Sequence, residues 1–420
     1  MCWYRVNLQS GFCPLNMNFM VKEYPVATTF QTTMQPRRQK RSDRLKGKVI
    51  VQILPELEKG GVERGTIEMA AAIKSAGGRA VVISNGGALV ARLKRVGGEH
   101  YALPVHSKNP LKWFTVRRNV RQILTDTGAD LVHIRSRAPA WISMPAARML
   151  RLPVVTTIHG RFRREGMLKN IYNRIMLRGD RVIAISNHIY QQVLDVFPQA
   201  QDKMTIIHRG VDIDVFSPDR VTPQRVIRMS EQLAAPDDVP IIMLPARPSK
   251  WKGAHTLVEA AARIADEEFV VLLVGALDGN TDFQKELIAL IEKLNLTSRV
   301  RLCPTVDDMA AALMLADVVV MPSLTPEPFG RVAIEASAMG CPVVAFNHGG
   351  ARESIIDGVT GWLASPVDVS DLATCLSKAL QLKTAARKKL GHEARKLVER
   401  KFTTRRMCDD TLAVYSDLLK

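Results

Sequence analysis

The chain has 420 residues, 46% of them hydrophobic and 24% charged, a globular composition with more sequence than one core usually fills. The formal net charge of +18 favours an anionic partner, which could be nucleic acid, an acidic membrane surface or a phosphorylated substrate. No apolar run reaches the roughly 18 residues of a membrane span. The six cysteines, Cys2, Cys13, Cys303, Cys341, Cys375 and Cys408, have neither zinc nor disulfide spacing, which points to a reducing cytosol.

Residues 1–45 alternate short apolar pieces with Pro, Gln and Thr and end in the basic cluster Arg37, Arg38, Lys40, Arg41 and Arg44. No apolar core with a small-residue cleavage site follows Arg5, so no signal peptide is read. The expectation is a flexible extension, or a start assigned too early with Met34 as the alternative.

From Lys48 the pattern is regular. VIVQILP reads as a strand, ELEKGGVER as a loop, TIEMAAAIKSA as a helix closed by Gly77 and Gly78, and RAVVIS as the next strand. Buried strands alternating with amphipathic helices predict a parallel, doubly wound sheet. The alternation continues through DLVHIRS, PVVTTIHG, RVIAIS and MTIIHRGVD, making one Rossmann-like domain over residues 46–212. A Pro-containing connection follows Asp212. IIMLPAR, VVLLVGAL, VRLCP, DVVVMPS and VVAFN then predict a second such domain over residues 213–395. Such a tandem leaves a ligand cleft between two sheet edges.

The most informative stretch is Pro322 to Gly350. An apolar strand ending at Met321 runs into a Pro-rich loop, then the helix-like RVAIEASAM closed by Gly340 and Pro342, then the strand VVAF. The loop therefore lies at the carboxyl edge of the sheet, where the first amides of the helix can hold a phosphate. Glu327 in the loop and Glu335 on the helix should reach different parts of one ligand. Elsewhere, Gly60 and Gly61 form either a plain tight turn or a close approach to an anion or sugar. Arg247 and Lys252 follow the first strand of the second domain, either as a solvated basic loop or as a fork and a point charge for a diphosphate. His159 closes a strand at the carboxyl edge of the first sheet. No Asp-x-Asp metal motif, Ser-His-Asp elbow, Walker loop or complete G-x-G-x-x-G is present.

The spacing in EPFGRVAIE, followed by GCPVVAF and GGARESI, resembles the donor-binding signature of retaining family-four glycosyltransferases, and the resemblance runs from Lys48 to the end of the chain. It implies the GT-B fold, with two Rossmann-like domains of parallel sheets facing across a cleft and residues 396–420 as a last helix packed back on the first domain. It further implies a nucleotide-sugar donor as co-substrate, no other cofactor and no metal. Gly61 would lie near the donor phosphate or the acceptor, and Arg247 and Lys252 at the diphosphate. His159 would lie beside the sugar as a positioning group, with Glu335 on the ribose. Glu327 and the backbone around Phe329 and Gly330 would meet the sugar and phosphates. Glu327 either orients sugar hydroxyls or stabilises positive charge at the anomeric carbon.

Within the family, LPARPSKWKG, RGDRVIAIS and IHRGVD look most like mannosyltransferases of bacterial lipopolysaccharide core assembly, which use GDP-mannose. That resemblance implies a lipid-linked saccharide acceptor and a cytoplasmic protein held peripherally on the anionic inner face of the membrane. Arg117, Arg118 and Arg121, and the cluster Arg161, Arg163 and Arg164, are the basic groups expected there. A UDP-hexose transferase and a nucleotide-sugar epimerase are the alternatives on the same fold. A nucleic-acid-binding protein is disfavoured, because aromatic residues are only 5% of the chain and no nucleic-acid motif is present.

Overall fold

The alternating apolar segments form strands, and every pairing between the named strands is parallel. The first sheet holds β1 (Val49–Ile53), β2 (Arg79–Ser84), β3 (Glu99–Ala102), β4 (Leu131–Ile134), β5 (Val154–Ile158), β6 (Arg181–Ala184) and β7 (Met204–Ile206) in the order β3-β2-β1-β4-β5-β6-β7. The second holds β8 (Ile241–Pro245), β9 (Val270–Val274), β10 (Val300–Cys303), β11 (Val318–Met321), β12 (Val343–Phe346) and β13 (Gly361–Ala364) in the order β10-β9-β8-β11-β12-β13. The computed structural model describes residues 44–58, 60–107, 109–162, 166–279 and 281–420. The expectations for the N-terminal extension before Arg44, and for Arg163 and Arg164, lie outside the described residues.

Central strands are apolar because helices cover both faces. β1, β5, β8 and β9 are buried at every position. β3 and β13 were not among the expected strands. EHYA and GWLA sit at sheet edges and are only partly buried, so neither carries a continuous apolar run.

In each sheet the order reverses beside the first strand, between β1 and β4 and between β8 and β11. That switch point leaves a crevice at the carboxyl edge, flanked by the loops that follow both strands. Register keeps those loops level: Ile53 pairs with both Ile83 and Ile134.

The chain crosses between halves twice, and the crossings meet. Val211 N donates to Phe402 O at 2.8 Å and Thr404 N to Val211 O at 2.9 Å. The helix Thr404–Leu418 then lies on the first half, where the buried Tyr415 hydroxyl meets His133 Nδ1 at 2.5 Å. The preceding helix, Thr384–Lys401, runs unbroken through residue 396 and packs on Arg331–Ala338 of the second half. The return therefore begins at Phe402, six residues beyond the start expected from sequence.

Gly391 sits inside that helix, against Gly340, where an added methyl would run into the Gly340 carbonyl oxygen. Helix propensity alone predicts that Gly391→Ala stabilises by about 1 kcal/mol. The contact reverses the sign: a net loss of about 1–3 kcal/mol is expected in urea unfolding, and a gain would show that the two helices can separate at no cost.

Candidate active site at the meeting of two sheet edges

The loop after β8 carries Arg247 and Lys252, and the loop after β11 carries Glu327. Gly253, with φ +78, brings them together. It lies so close to the Pro322 carbonyl that a side chain could not fit, and its positive φ suits glycine alone. Leu324 N donates to Trp251 O at 2.8 Å, tying the loops side by side. Lys252 Nζ then donates to Glu327 Oε1 at 2.6 Å, with side chains only 21% and 10% exposed. Ser323 Oγ donates to the same oxygen at 2.5 Å. His348 Nε2 donates to Ser323 O at 2.7 Å, and burial holds its imidazole below the ordinary range. A third loop, after β12, closes the arrangement. Gly350 N donates to Glu327 O at 2.9 Å, and a Cβ on Gly349 would come within 2.6 Å of that same oxygen.

Phe329 and Gly330 differ in what they present. Phe329 is 2% exposed as a whole residue: its ring packs edge-on against Phe402, and its backbone lies so close to Gly350 that a side chain could not fit there, so its part is to shape the loop. Gly330, with φ +84, caps the helix Arg331–Ala338, whose first amides lack a side-chain acceptor from the cap.

Glu335 occupies a separate setting from Glu327. It lines a cleft of about 390 Å³ together with Arg247, Gly275, Arg331 and, from the first half, Arg64 and Arg92. Arg331 Nη2 donates to Glu335 Oε1 at 3.1 Å. Burial pushes the Glu335 carboxyl up, and Arg331 and Arg64 offset part of that rise. Arg247 is exposed on the wall of this cleft, and among the described residues its guanidinium has no partner. The two cations expected to act as a pair are thus differently engaged, Lys252 with Glu327 and Arg247 with nothing.

Gly61 opens the helix Gly61–Ser75 on the facing half, and a Cβ there would lie 3.6 Å from Arg331 Cδ. Its carbonyl accepts from Arg209 Nη2. Burial and the neighbouring Arg331 push Arg209 down to about 10. His159, at the end of β5, has its Nε2 enclosed and without a hydrogen-bond partner. Burial, with Arg209, Arg135 and His133 nearby, holds its imidazole well below the ordinary range, so it is neutral near pH 7. A neutral imidazole can donate to or accept from a sugar hydroxyl.

Sequence reasoning missed the groups that tie the halves together around this loop. Ser186 Oγ donates to Pro328 O at 2.5 Å, and Arg161 Nη2 donates to Thr325 Oγ1. Glu353 accepts from Asn187 N at 2.7 Å, His188 N at 2.8 Å and His208 Nε2 at 2.9 Å. The available signal was the segment GGARESI, which carries Glu353, but nothing in it names a partner on the first half.

Comparisons with known proteins bear on the family and the fold. A family model described as "Glycosyltransferase Family 4" matches residues 59–215, and one described as "Glycosyl transferases group 1" matches residues 226–397. The crystal structure of a glycosyltransferase from Rickettsia africae is 35% identical with a TM-score of 0.83, over 89% of this chain and 99% of that one. The chain belongs to the group 1, family 4 glycosyltransferases. Within this GT-B family it is also similar to Anabaena HepE, solved in complex with UDP and glucose, at 25% identity and a TM-score of 0.75, over 87% of this chain and 99% of that one. A D-inositol 3-phosphate glycosyltransferase from Mycolicibacterium smegmatis is 31% identical over 216 residues, 51% of this chain. That match spans 48% of the relative's own length.

The buried imidazoles set a pH dependence. His133 and His159 are both held well below their ordinary value, chiefly by burial. In the unfolded chain they protonate near pH 6.5, so below that pH the unfolded state binds more protons. Their contribution is complete above about pH 6.5 and is lost as pH falls toward their folded values. Calorimetric melting should show Tm falling from pH 6.5 to 5, less steeply in His159→Gln; identical slopes in the two proteins would mean that His159 takes up its proton as readily in the fold as in the unfolded chain.

Proposed function

We propose that this chain is a retaining glycosyltransferase that moves a hexose from a nucleoside-diphosphate sugar to an acceptor hydroxyl, with the Lys252–Glu327 pair at the junction of sugar and phosphate. The supporting observation is that pair itself, fixed by three converging loops beside the uncapped first amides of Arg331–Ala338. As the bond from sugar to phosphate loosens, negative charge grows on the phosphate and positive charge on the anomeric carbon. Lys252, Arg247 and the helix amides stabilise the first, in place of a divalent metal. Glu327, held by Lys252 and Ser323, faces the second or orients the sugar hydroxyls. The neutral His159 positions the sugar and Glu335 takes the ribose. The motif resemblance supports GDP-mannose and a lipopolysaccharide-core acceptor. A UDP-hexose is the second reading, favoured by the UDP and glucose held in the HepE structure.

A thermal-shift screen decides the donor: GDP-mannose should stabilise the protein more than UDP-glucose, and the reverse selects the second reading. Transfer should yield the donor's anomeric configuration by NMR and survive EDTA. Lys252→Ala should slow turnover by on the order of a hundredfold. Among folded variants, Glu327→Ala should mainly lower kcat, and Glu335→Ala should raise the KM for donor by about tenfold or more. Wild-type kcat in Glu327→Ala, together with lost kcat at saturating donor in Glu335→Ala, would overturn the assignment.

The acceptor reading places the protein peripherally at an anionic cytoplasmic membrane face. Among the described residues no helix is long and apolar enough to cross a membrane. The helix Pro110–Asp126 exposes Leu111 and Phe114, at 87% and 76%, on an element that also carries the exposed Lys112, Arg118 and Arg121. That combination suits an interface where apolar tips enter and cations meet anionic headgroups. Arg161, expected on this basic face, is instead engaged with Thr325 of the other half. Vesicles containing anionic lipid should co-sediment the protein and release it in high salt, whereas equal binding to neutral lipid would remove the electrostatic contact.

A further inference from the structure

A cavity of about 320 Å³ lies within the first half alone, where β1, β4 and β5 end. Arg135, Ser136, Arg137, His159 and Gly160 line it, with Glu63 as the one acid. Arg135 is only 4% exposed, yet its Nε has no hydrogen-bond partner. The same holds for Arg137 Nε and His159 Nε2. Arg137 is fixed in place, since its Nη2 donates to Arg161 O at 2.8 Å and its guanidinium lies 5.5 Å from the centre of the Phe162 ring.

These cations have no anion of their own. Among the described residues no carboxylate comes within ion-pairing distance of Arg135 or Arg137, and Glu68 acts on Arg135 only at longer range. The Glu63 carboxylate is folded back onto Gly60. Ser136 starts the 13-residue helix Arg137–Met149 in extended conformation without a side-chain cap, so its first amides are open as well. Burial lowers both arginines from their ordinary value, but a guanidinium stays protonated in proteins. Buried donors left without acceptors are costly, and a planar fork beside free amides matches a tetrahedral or planar oxyanion.

We propose that this cavity binds an anionic group of the acceptor, a phosphate or a carboxylate, so that the protein selects acceptors by charge. This rests on the transferase reading for the word acceptor, while the anion site stands on the cavity itself. It lies apart from the donor cleft, which Arg247, Arg331 and Glu335 line, and so should fill while nucleotide is bound.

The test is calorimetric titration of the full chain, saturated with whichever of UDP or GDP binds, using glucose 6-phosphate, glucuronate and glucose. At least one anion should bind, the stronger of the two identifying the group, with glucose weaker by about tenfold or more. Arg137→Gln should weaken the anion by about tenfold while leaving the nucleotide Kd unchanged. His159→Asn, whose fold is checked by melting, should weaken it in the same direction. Binding of neither anion, equal binding of glucose, displacement of the anion by nucleotide, or full affinity in both variants would each overturn the proposal. Anion binding without any nucleotide binding would instead sink the transferase reading and leave the anion site standing.

Discussion

The contact between Lys252 and Glu327 is the constraint on which the candidate site depends. Taking a cation and a carboxylate out of water is costly, and the pair persists only where geometry and further hydrogen bonds offset that cost. Here three loops meet that condition together. The β8 loop delivers Lys252 through the tight approach of Gly253 to Pro322. The β11 loop supplies Glu327 and Ser323, and the β12 loop anchors the Glu327 backbone through Gly350. Removing one partner of such a pair generally costs about 3–5 kcal/mol, so the pair also fixes where the loops can lie.

The same loop belongs mechanically to both halves. Its Pro328 carbonyl accepts from Ser186 and its Thr325 hydroxyl from Arg161, both on the first half. Glu353, a short distance further along the second half, holds the amides of Asn187 and His188. Burial pushes Glu353 up, but His208 and the two amides outweigh it and leave the carboxyl below its ordinary range. A change in the angle between the halves therefore acts on the segment that carries Glu327, linking closure of the cleft to the geometry of its charged pair.

Charge is distributed unevenly around the cleft. Glu335 is offset by Arg331 within one helix, and Asp308 by a two-pronged contact from Arg225 at 2.7 and 2.8 Å. Arg247 on one side, and Arg135 and Arg137 on the other, lack such partners among the described residues. Uncompensated cations thus line both the cleft that holds Glu335 and the cavity that holds His159.

The sequence by itself determined the two parallel sheets, because strands buried on both faces must read as apolar runs and the helices between them must be amphipathic. It also put Gly61 at a helix start, His159 just beyond a strand, Arg247, Lys252 and Glu327 in loops that follow strands, and Glu335 about a turn inside a helix, which is where the structure has them. Edge strands β3 and β13 escaped it, as partly exposed strands carry a weaker pattern. So did the start of the return to the first half, because a continuous helical pattern does not say which surface it packs on. Only the tertiary structure decided that Lys252 pairs with Glu327 while Arg247 stays free, and that Phe329 is packed away against Phe402 and Gly350. The physical reason is that local pattern records which side of an element is buried, whereas partners more than 70 residues apart are chosen by how the loops of two sheets converge.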